Sequence, residues 1–187
     1  MKKFFLGAVA ITAFLCSCDS SDDYRNEQET TTFYKERSEN NMNSYELYQS
    51  IIDGFLYDRT QNYEDNILLF EQYVNSKLIT DEYEKIELNQ LAILSKADLS
   101  YIYKLNYSEE FIYSLFDILE NGYSASNKIE NDDELKLYST LSSLQLNGNG
   151  DDKLLNGKRT IAFAYGSQFN IKMAILYAGA IELSTKK

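Results

Sequence analysis

The sequence contains no histidine, and its two cysteines, Cys16 and Cys18, both lie near the amino terminus. This composition excludes His-dependent acid–base pairs, Ser-His-Asp and Cys-His nucleophiles, and the usual zinc ligand sets. Adjacent carboxylates occur at positions 22–23, 132–133 and 151–152, all in segments with tether or loop composition. A carboxylate-based glycosidase needs two acids about 5–9.5 Å apart in a cleft, and no pattern predicts one. We therefore expect no enzyme, no catalytic residue and no cofactor.

The most turn-prone run in the chain extends from Asn147 to Asp152, with glycines at 148 and 150. Asn147, Asn149 and Asp151 alternate as the first three ligands of an EF-hand calcium loop do. The sixth position, however, is Asp152 where that loop needs Gly, and the twelfth is Lys158 where it needs Glu. We favour a solvated loop without metal, and a calcium-dependent binding module through these three weak candidates is the alternative.

A charged start, an apolar stretch and small residues follow one another at the amino terminus. Lys2 and Lys3 supply the charge, and residues 4–15 contain no charged side chain. This order is typical of a secretory signal peptide. The apolar run is shorter than the about 20 residues that a membrane-spanning helix needs.

The run Leu15-Cys16-Ser17-Cys18 resembles the lipobox of bacterial lipoproteins, with Leu three positions before a cysteine and a small residue directly before it. The resemblance covers residues 1–18 only. It implies cleavage after Ser17, a diacylglyceryl group on the Cys18 sulfur and an acyl chain such as palmitate on its amino group. Cys16 occupies a position where Ala, Ser or Thr is more usual, and it is the alternative lipidated residue. A secreted protein without a lipid is the other alternative.

The residues after Cys18 predict a tether. Residues 19–23 form an acidic run that resembles the export tag of some Gram-negative surface lipoproteins and equally fits a solvated linker. Residues 18–40 are polar and charged, which favours disorder. We divide the chain into a signal peptide at 1–17, an acidic disordered tether at 18–40 and a helical domain at 41–187. The resemblance places it in the cell envelope, anchored to the outer membrane on its periplasmic or surface face.

The charge of the chain limits its partners. Without Lys2 and Lys3, 16 basic residues remain against 29 acidic ones, a net charge of −13. Such a surface repels phosphate backbones, so we expect no nucleic-acid partner and membrane contact only through the lipid on Cys18. Acidity suits a basic protein partner. We therefore predict a non-enzymatic protein-binding domain, with an immunity or antagonist protein for a secreted toxin as an alternative.

Tyrosine provides the residues from which such a binding surface would be made. The chain has 16 tyrosines, and their side chains contribute contact area and a hydroxyl at low entropic cost. Such residues more often form the rim of a hydrophobic core. The candidates are Tyr45, Tyr48, Tyr101, Tyr103, Tyr107 and Tyr113.

The absence of proline and the apolar spacing predict an all-α fold. We expect one bundle of five to seven helices packed around an apolar C-terminal helix at 160–183, which Gly166 kinks or splits. The segment 97–105 is either helix or strand, and a strand at 161–165 is an alternative. The other predicted helices are 44–56 capped by Ser44, 63–77, a third that starts at Thr80 or Asp81 and runs to 94, 109–120 capped by Ser108 and stopped at Gly122, and 132–144.

Overall fold

Seven α-helices and one 3₁₀ helix follow one another in this computed structural model, which describes residues 43–80, 82–122, 128–147 and 152–186. No strand occurs among these residues, which confirms the predicted all-α class. With the 3₁₀ helix counted, the eight helices of this part of the chain slightly exceed the predicted five to seven. The elements are α1 (Ser44–Gly54), α2 (Tyr63–Lys77), α3 (Leu88–Leu94), the 3₁₀ helix (Leu99–Lys104), α4 (Glu109–Asn121), α5 (Asp132–Leu146), α6 (Lys153–Ser167) and α7 (Ile171–Leu183).

Short polar side chains determine where several of these helices begin. The Asn43 side-chain oxygen accepts a hydrogen bond from the amide two residues on, so Asn43 caps α1 and the predicted cap, Ser44, is the first helical residue. Ser108 caps α4 as predicted, because its Oγ accepts from the amide three residues on at 3.2 Å. Gly122 ends α4 in the left-handed conformation at φ 75°, which confirms the predicted stop.

Helix α7 is the central element of the bundle. Every residue from 172 to 183 is buried, and α7 packs against α1, α2, α3 and α6. Gly179 allows a close approach, because a Cβ there would overlap the Phe70 ring of α2. The prediction that the other helices pack around the apolar C-terminal segment is therefore confirmed.

The C-terminal segment 160–183 forms two helices rather than one. Helix α6 ends at Ser167, and Asn170 caps the start of α7 by accepting a hydrogen bond from the Met173 amide at 2.8 Å. A Cβ on Gly166 would overlap the Met173 carbonyl, so glycine is required where the two helices meet. Of the two outcomes predicted at Gly166, the structure shows the split.

The segment between α2 and α3 runs extended against α2. The Ile86 amide donates to Glu71 Oε2 at 2.7 Å, and the Glu84 amide donates to Asn75 Oδ1 at 2.9 Å. These amides therefore bind side chains of α2 instead of carbonyls one turn earlier in a helix. We call residues 82–87 the strap.

The prediction is wrong for the first half of the third helix, because residues 82–87 form the strap instead. Helix α3 begins only at Leu88, and Thr80 is not its cap, while Asp81 lies outside the described residues. Tyr83, which lies in the strap, is 53% exposed. The physical reason is that the buried Glu71 carboxylate needs a donor, and the Ile86 amide supplies one only when this segment runs extended beside α2.

Both segments for which the sequence allowed a strand are helical in the structure. The segment 97–105 contains the 3₁₀ helix, whose cap is Asp98, and Asp98 Oδ1 accepts from the Ser100 amide at 2.9 Å. The segment 161–165 lies within α6. Residues 161–164 are all buried, so the alternation of bulky and small side chains there does not separate an inner from an outer face.

Candidate functional site

A buried charged cluster joins α1, α5, α6 and α7. Arg159 Nη1 of α6 donates to Glu182 Oε2 of α7 at 3.1 Å. Arg159 Nη2 donates to the Leu144 carbonyl at 2.5 Å and to Asn156 Oδ1 at 3.2 Å. The Tyr48 hydroxyl donates to the same Glu182 oxygen at 2.5 Å. Burial, and then the adjacent carboxylate, raise the pKa of Tyr48 well above its usual value, so the phenol keeps the proton that it donates.

This cluster holds the core together and is closed to ligands. Arg159 is 1% exposed, Tyr48 is fully buried, and Glu182 is 6% exposed. Of these three residues, only Tyr48 was a candidate from the sequence, and it was proposed for a recognition surface, whereas the structure buries it. The one signal available was the charge of Glu182 inside the most apolar segment of the domain, because a buried carboxylate needs a partner.

A second buried polar cluster fastens the strap to α7. Lys172 is 2% exposed, and its Nζ donates to Thr80 Oγ1 at 2.6 Å, to the Glu82 carbonyl at 2.9 Å and to Asn75 Oδ1 at 3.2 Å. An ammonium group has three hydrogens, so this lysine is fully satisfied within the fold. Its position therefore indicates a structural role.

The tyrosines proposed for a recognition surface divide between the core and the surface. Tyr103 and Tyr113 are 58% and 62% exposed. The Tyr103 ring lies 6.4 Å from the ring of Phe116, which is one turn after Tyr113 on α4. The remaining candidates are buried or packed against the core: Tyr45, Tyr48, Tyr101 and Tyr107. The structure thus brings two of the six into one exposed region.

Carboxylates surround these aromatic side chains along α4. We define the acidic aromatic surface as Tyr103, Glu109, Glu110, Tyr113, Phe116, Asp117 and Glu120. Its α4 members follow one another at spacings of three and four, which places them on one helix face. All four carboxylates are exposed. The two ion pairs within the described part of the chain are Lys136–Asp133 and Arg159–Glu182, so these acids are unpaired there.

The start of α4 is tied to the neighbouring helices, which makes this surface rigid. Glu134 of α5 accepts from the Ser108 amide at 2.9 Å and from its hydroxyl at 2.5 Å. The Tyr107 hydroxyl donates to the Ala164 carbonyl of α6 at 2.7 Å, and burial raises the pKa of Tyr107. A partner would therefore meet side chains on a preformed helix face, at little cost in ordering.

Comparison with known proteins adds no relative from which a role could be transferred. The chain matches no protein family model, no curated protein and no solved structure. Among the described helices, none has the length and apolar composition that crossing a bilayer requires.

The proposed calcium ligands are only partly placed. Asn147 follows the last turn of α5 as its C-cap, whereas Asn149 and Asp151 lie outside the described residues. Asp152 caps α6 by accepting from the Leu155 amide at 3.1 Å. In the described ranges, no group of three or more acidic, His or Cys side chains is arranged to hold a metal. Calcium binding by this loop stays a prediction.

The remaining candidates are an acid pair and the cysteine that the sequence predicts to be lipidated. Asp132 and Asp133 are exposed in the first turn of α5, where the helix dipole stabilises negatively charged side chains. Asp133 also forms an ion pair with Lys136 at 3.4 Å. Cys16, Cys18 and the tether lie outside the described residues. The lipid anchor is thus a hypothesis from the sequence alone.

Proposed function

We propose that this chain is a lipid-anchored lipoprotein of the cell envelope whose helical domain binds another protein. The lipobox resemblance at Leu15–Cys18 supports the anchor, and the acidic residues that follow support a tether between the lipid and the domain. Several acyl chains on one residue exceed what stable membrane attachment needs. Anchoring would confine the domain to the compartment in which its partner arrives.

The observation that carries the binding role is the acidic aromatic surface. Tyr113 and Tyr103 offer large exposed side chains that lose little entropy on contact, and aromatic residues are enriched at interface hot spots. The unpaired carboxylates beside them favour a partner with basic residues at the matching positions. The partner that this surface fits is therefore a protein with a basic patch that includes apolar side chains.

The anchor is tested with two cysteine variants that differ only in position. Cys18→Ser is expected to release the protein from the membrane fraction, because the acyl chains no longer have a sulfur to attach to. Cys16→Ser is the matched control and is expected to stay with the membranes. Mass spectrometry of the wild-type amino terminus should show an acylated residue 18. A Cys18→Ser protein that remains in the membrane fraction would contradict the anchor.

The binding role is tested by crosslinking the full chain to envelope extract. Replacing Tyr103 and Tyr113 by Ser together should reduce capture of the partner about tenfold or more, the size expected for hot-spot aromatics. Raising the salt concentration should also weaken capture, because exposed charges are screened. The control is Ile93→Ser, a comparably exposed apolar residue (51%) on α3. Equal losses in the double variant and this control would overturn the assignment of the surface.

A further inference from the structure

An apolar groove separates the start of α6 from the 3₁₀ helix and the end of α4. Its volume is about 340 Å³, at the lower end of the range for small-molecule sites. Leu99, Leu119 and Ile161 provide apolar walls, and Leu154 on the rim is 68% exposed. A smaller depression of about 190 Å³ adjoins it and shares Leu154 and Lys158, but most of its lining residues are polar. The apolar part of the site is therefore the groove itself.

Gly157 keeps this groove open at a cost to helix stability. Glycine inside a helix costs up to about 1 kcal/mol relative to alanine. Packing does not require it here, because a Cβ on Gly157 would meet nothing closer than the Leu119 methyl at 3.9 Å, an ordinary contact. Packing does require glycine at position 166 of the same helix, because a Cβ there would overlap backbone atoms of α7. The missing side chain at Gly157 is thus accounted for by the space that it leaves in the groove.

Two lysines without an ion pair line the same groove. Lys153 and Lys158 have no acidic partner among the described residues, although the chain has 29 acidic side chains. Asp98 also lines the groove, and its carboxylate accepts from the Ser100 amide and hydroxyl. The two ammonium groups outnumber this one carboxylate and form no ion pair with it, so they are available to an anion bound in the groove.

We propose that this groove binds a fatty acid, with the alkyl chain between Leu99, Leu119 and Leu154 and the carboxylate at Lys153 and Lys158. A peptide is a poorer occupant, because its backbone would bury amides and carbonyls against a lining that is mostly apolar, whereas an alkyl chain needs no hydrogen bonds. Neither a short anion nor an uncharged alkane would use both the lysines and the apolar walls. This inference does not depend on the protein-binding role of the acidic aromatic surface.

Calorimetry on the full chain with three probes tests both halves of the ligand. Decanoate is expected to bind, decanol to bind more weakly, and acetate not to bind. Decanoate should bind tighter than octanoate by about fourfold for each added methylene. Replacing Lys153 and Lys158 by Ala should weaken decanoate binding about tenfold and leave decanol unchanged. Lys136→Ala, which removes an exposed lysine on α5, is the matched control.

Filling the groove provides the second arm of the test. Gly157→Leu should abolish binding of decanoate and decanol while preserving helicity, and Gly157→Ala should reduce it in part. Nuclear magnetic resonance of the wild type locates the ligand even where Gly157→Leu fails to fold, through shifts at the Leu154 and Gly157 amides. Decanoate that does not bind, that binds independently of the two lysines, or that shifts amides elsewhere would overturn the proposal.

Discussion

At the scale of single residues, the Arg159–Glu182 pair is the most demanding arrangement in the fold. Removing two charges from water is costly, and the cost is offset here by the Tyr48 hydroxyl and the Leu144 carbonyl, which bind the same two side chains. Arg159 Nε has no hydrogen-bond partner among the described residues, so the compensation is incomplete. The cluster therefore contributes more to the relative positions of the helices than to stability.

Removing one partner of this buried pair should be strongly destabilising. Arg159→Met leaves the Glu182 carboxylate buried without its cation and should lower the free energy of unfolding by about 3–5 kcal/mol. Urea unfolding measures this loss. The double variant with Met at both positions should regain much of it, because two apolar side chains of similar volume replace the two charges.

The exposed pair provides the control for this prediction. Lys136 and Asp133 have side chains that are 79% and 94% exposed, and Lys136→Ala should leave the urea midpoint unchanged. An Arg159→Met protein as stable as the Lys136→Ala protein would show that the buried charges are not paired in solution.

Sequence reasoning did not predict the buried Arg159–Glu182 pair. Glu182 stands out as a charge in the apolar segment, but its partner lies 23 positions earlier, across a break between helices that the sequence left as an alternative. The candidate surface shows the same limit. Tyr48 and Tyr113 were both candidates for the recognition surface from the sequence. Tyr48 is fully buried because α1 packs against α6 and α7, whereas Tyr113 is exposed.

At the scale of elements, helices with local end signals were predicted well. Helix α2 has the predicted limits, and α4 ends at the predicted glycine, because caps and dipole charges act within a few residues of the chain. The strap was missed because its partners are distant. Lys172 lies 90 positions after the Glu82 carbonyl that it binds, and no local pattern encodes that contact.

Two glycines of α6 should respond oppositely to the same substitution. Gly157→Ala should raise the free energy of unfolding by up to about 1 kcal/mol, since the helix gains propensity and the new methyl meets no close atom. Gly166→Ala should lower it by about 1–3 kcal/mol, since the methyl overlaps the start of α7. Thermal or urea unfolding of the two variants measures both effects. A Gly166→Ala protein as stable as the wild type would show that α6 and α7 are not so closely packed at their junction.

At the scale of the whole molecule, tyrosine provides much of the packing and many of the interhelix hydrogen bonds. Tyr63 of α2 donates to the Ala180 carbonyl of α7 at 2.8 Å, and Tyr177 accepts from the Glu87 amide at 3.4 Å. The domain from residue 41 onward contains no cysteine, so no disulfide supplements these contacts. Its stability therefore depends on keeping buried phenols protonated.

Alkaline pH should unfold the protein through these phenols. Burial raises the pKa of Tyr63 to about 12 and that of Tyr177 to about 12, and it raises the pKa of Tyr48 well above its usual value. Tyrosine in an unfolded chain has a pKa of about 10, so the unfolded state loses its phenol protons at a lower pH than the native state does. The stabilisation is complete below about pH 10 and is lost as the pH rises toward 12.

Ultraviolet absorbance of tyrosinate measures this directly. The native protein should show a tyrosinate transition at high pH that coincides with the loss of helical circular dichroism, because the buried phenols ionise only as the protein unfolds. The same protein in concentrated urea should give one transition. A single transition near the usual pKa in the absence of urea would contradict the burial of these phenols.

The central position of α7 has a consequence for biogenesis. A ribosome makes about 5–20 residues per second, so on the order of ten seconds pass between the emergence of residue 18 and that of α7. During this interval α1, α2 and α3 lack the helix against which their apolar faces pack, whereas α4, α5 and α6 can already contact one another. The late synthesis of the central helix thus postpones completion of the core until nearly the whole chain has left the ribosome.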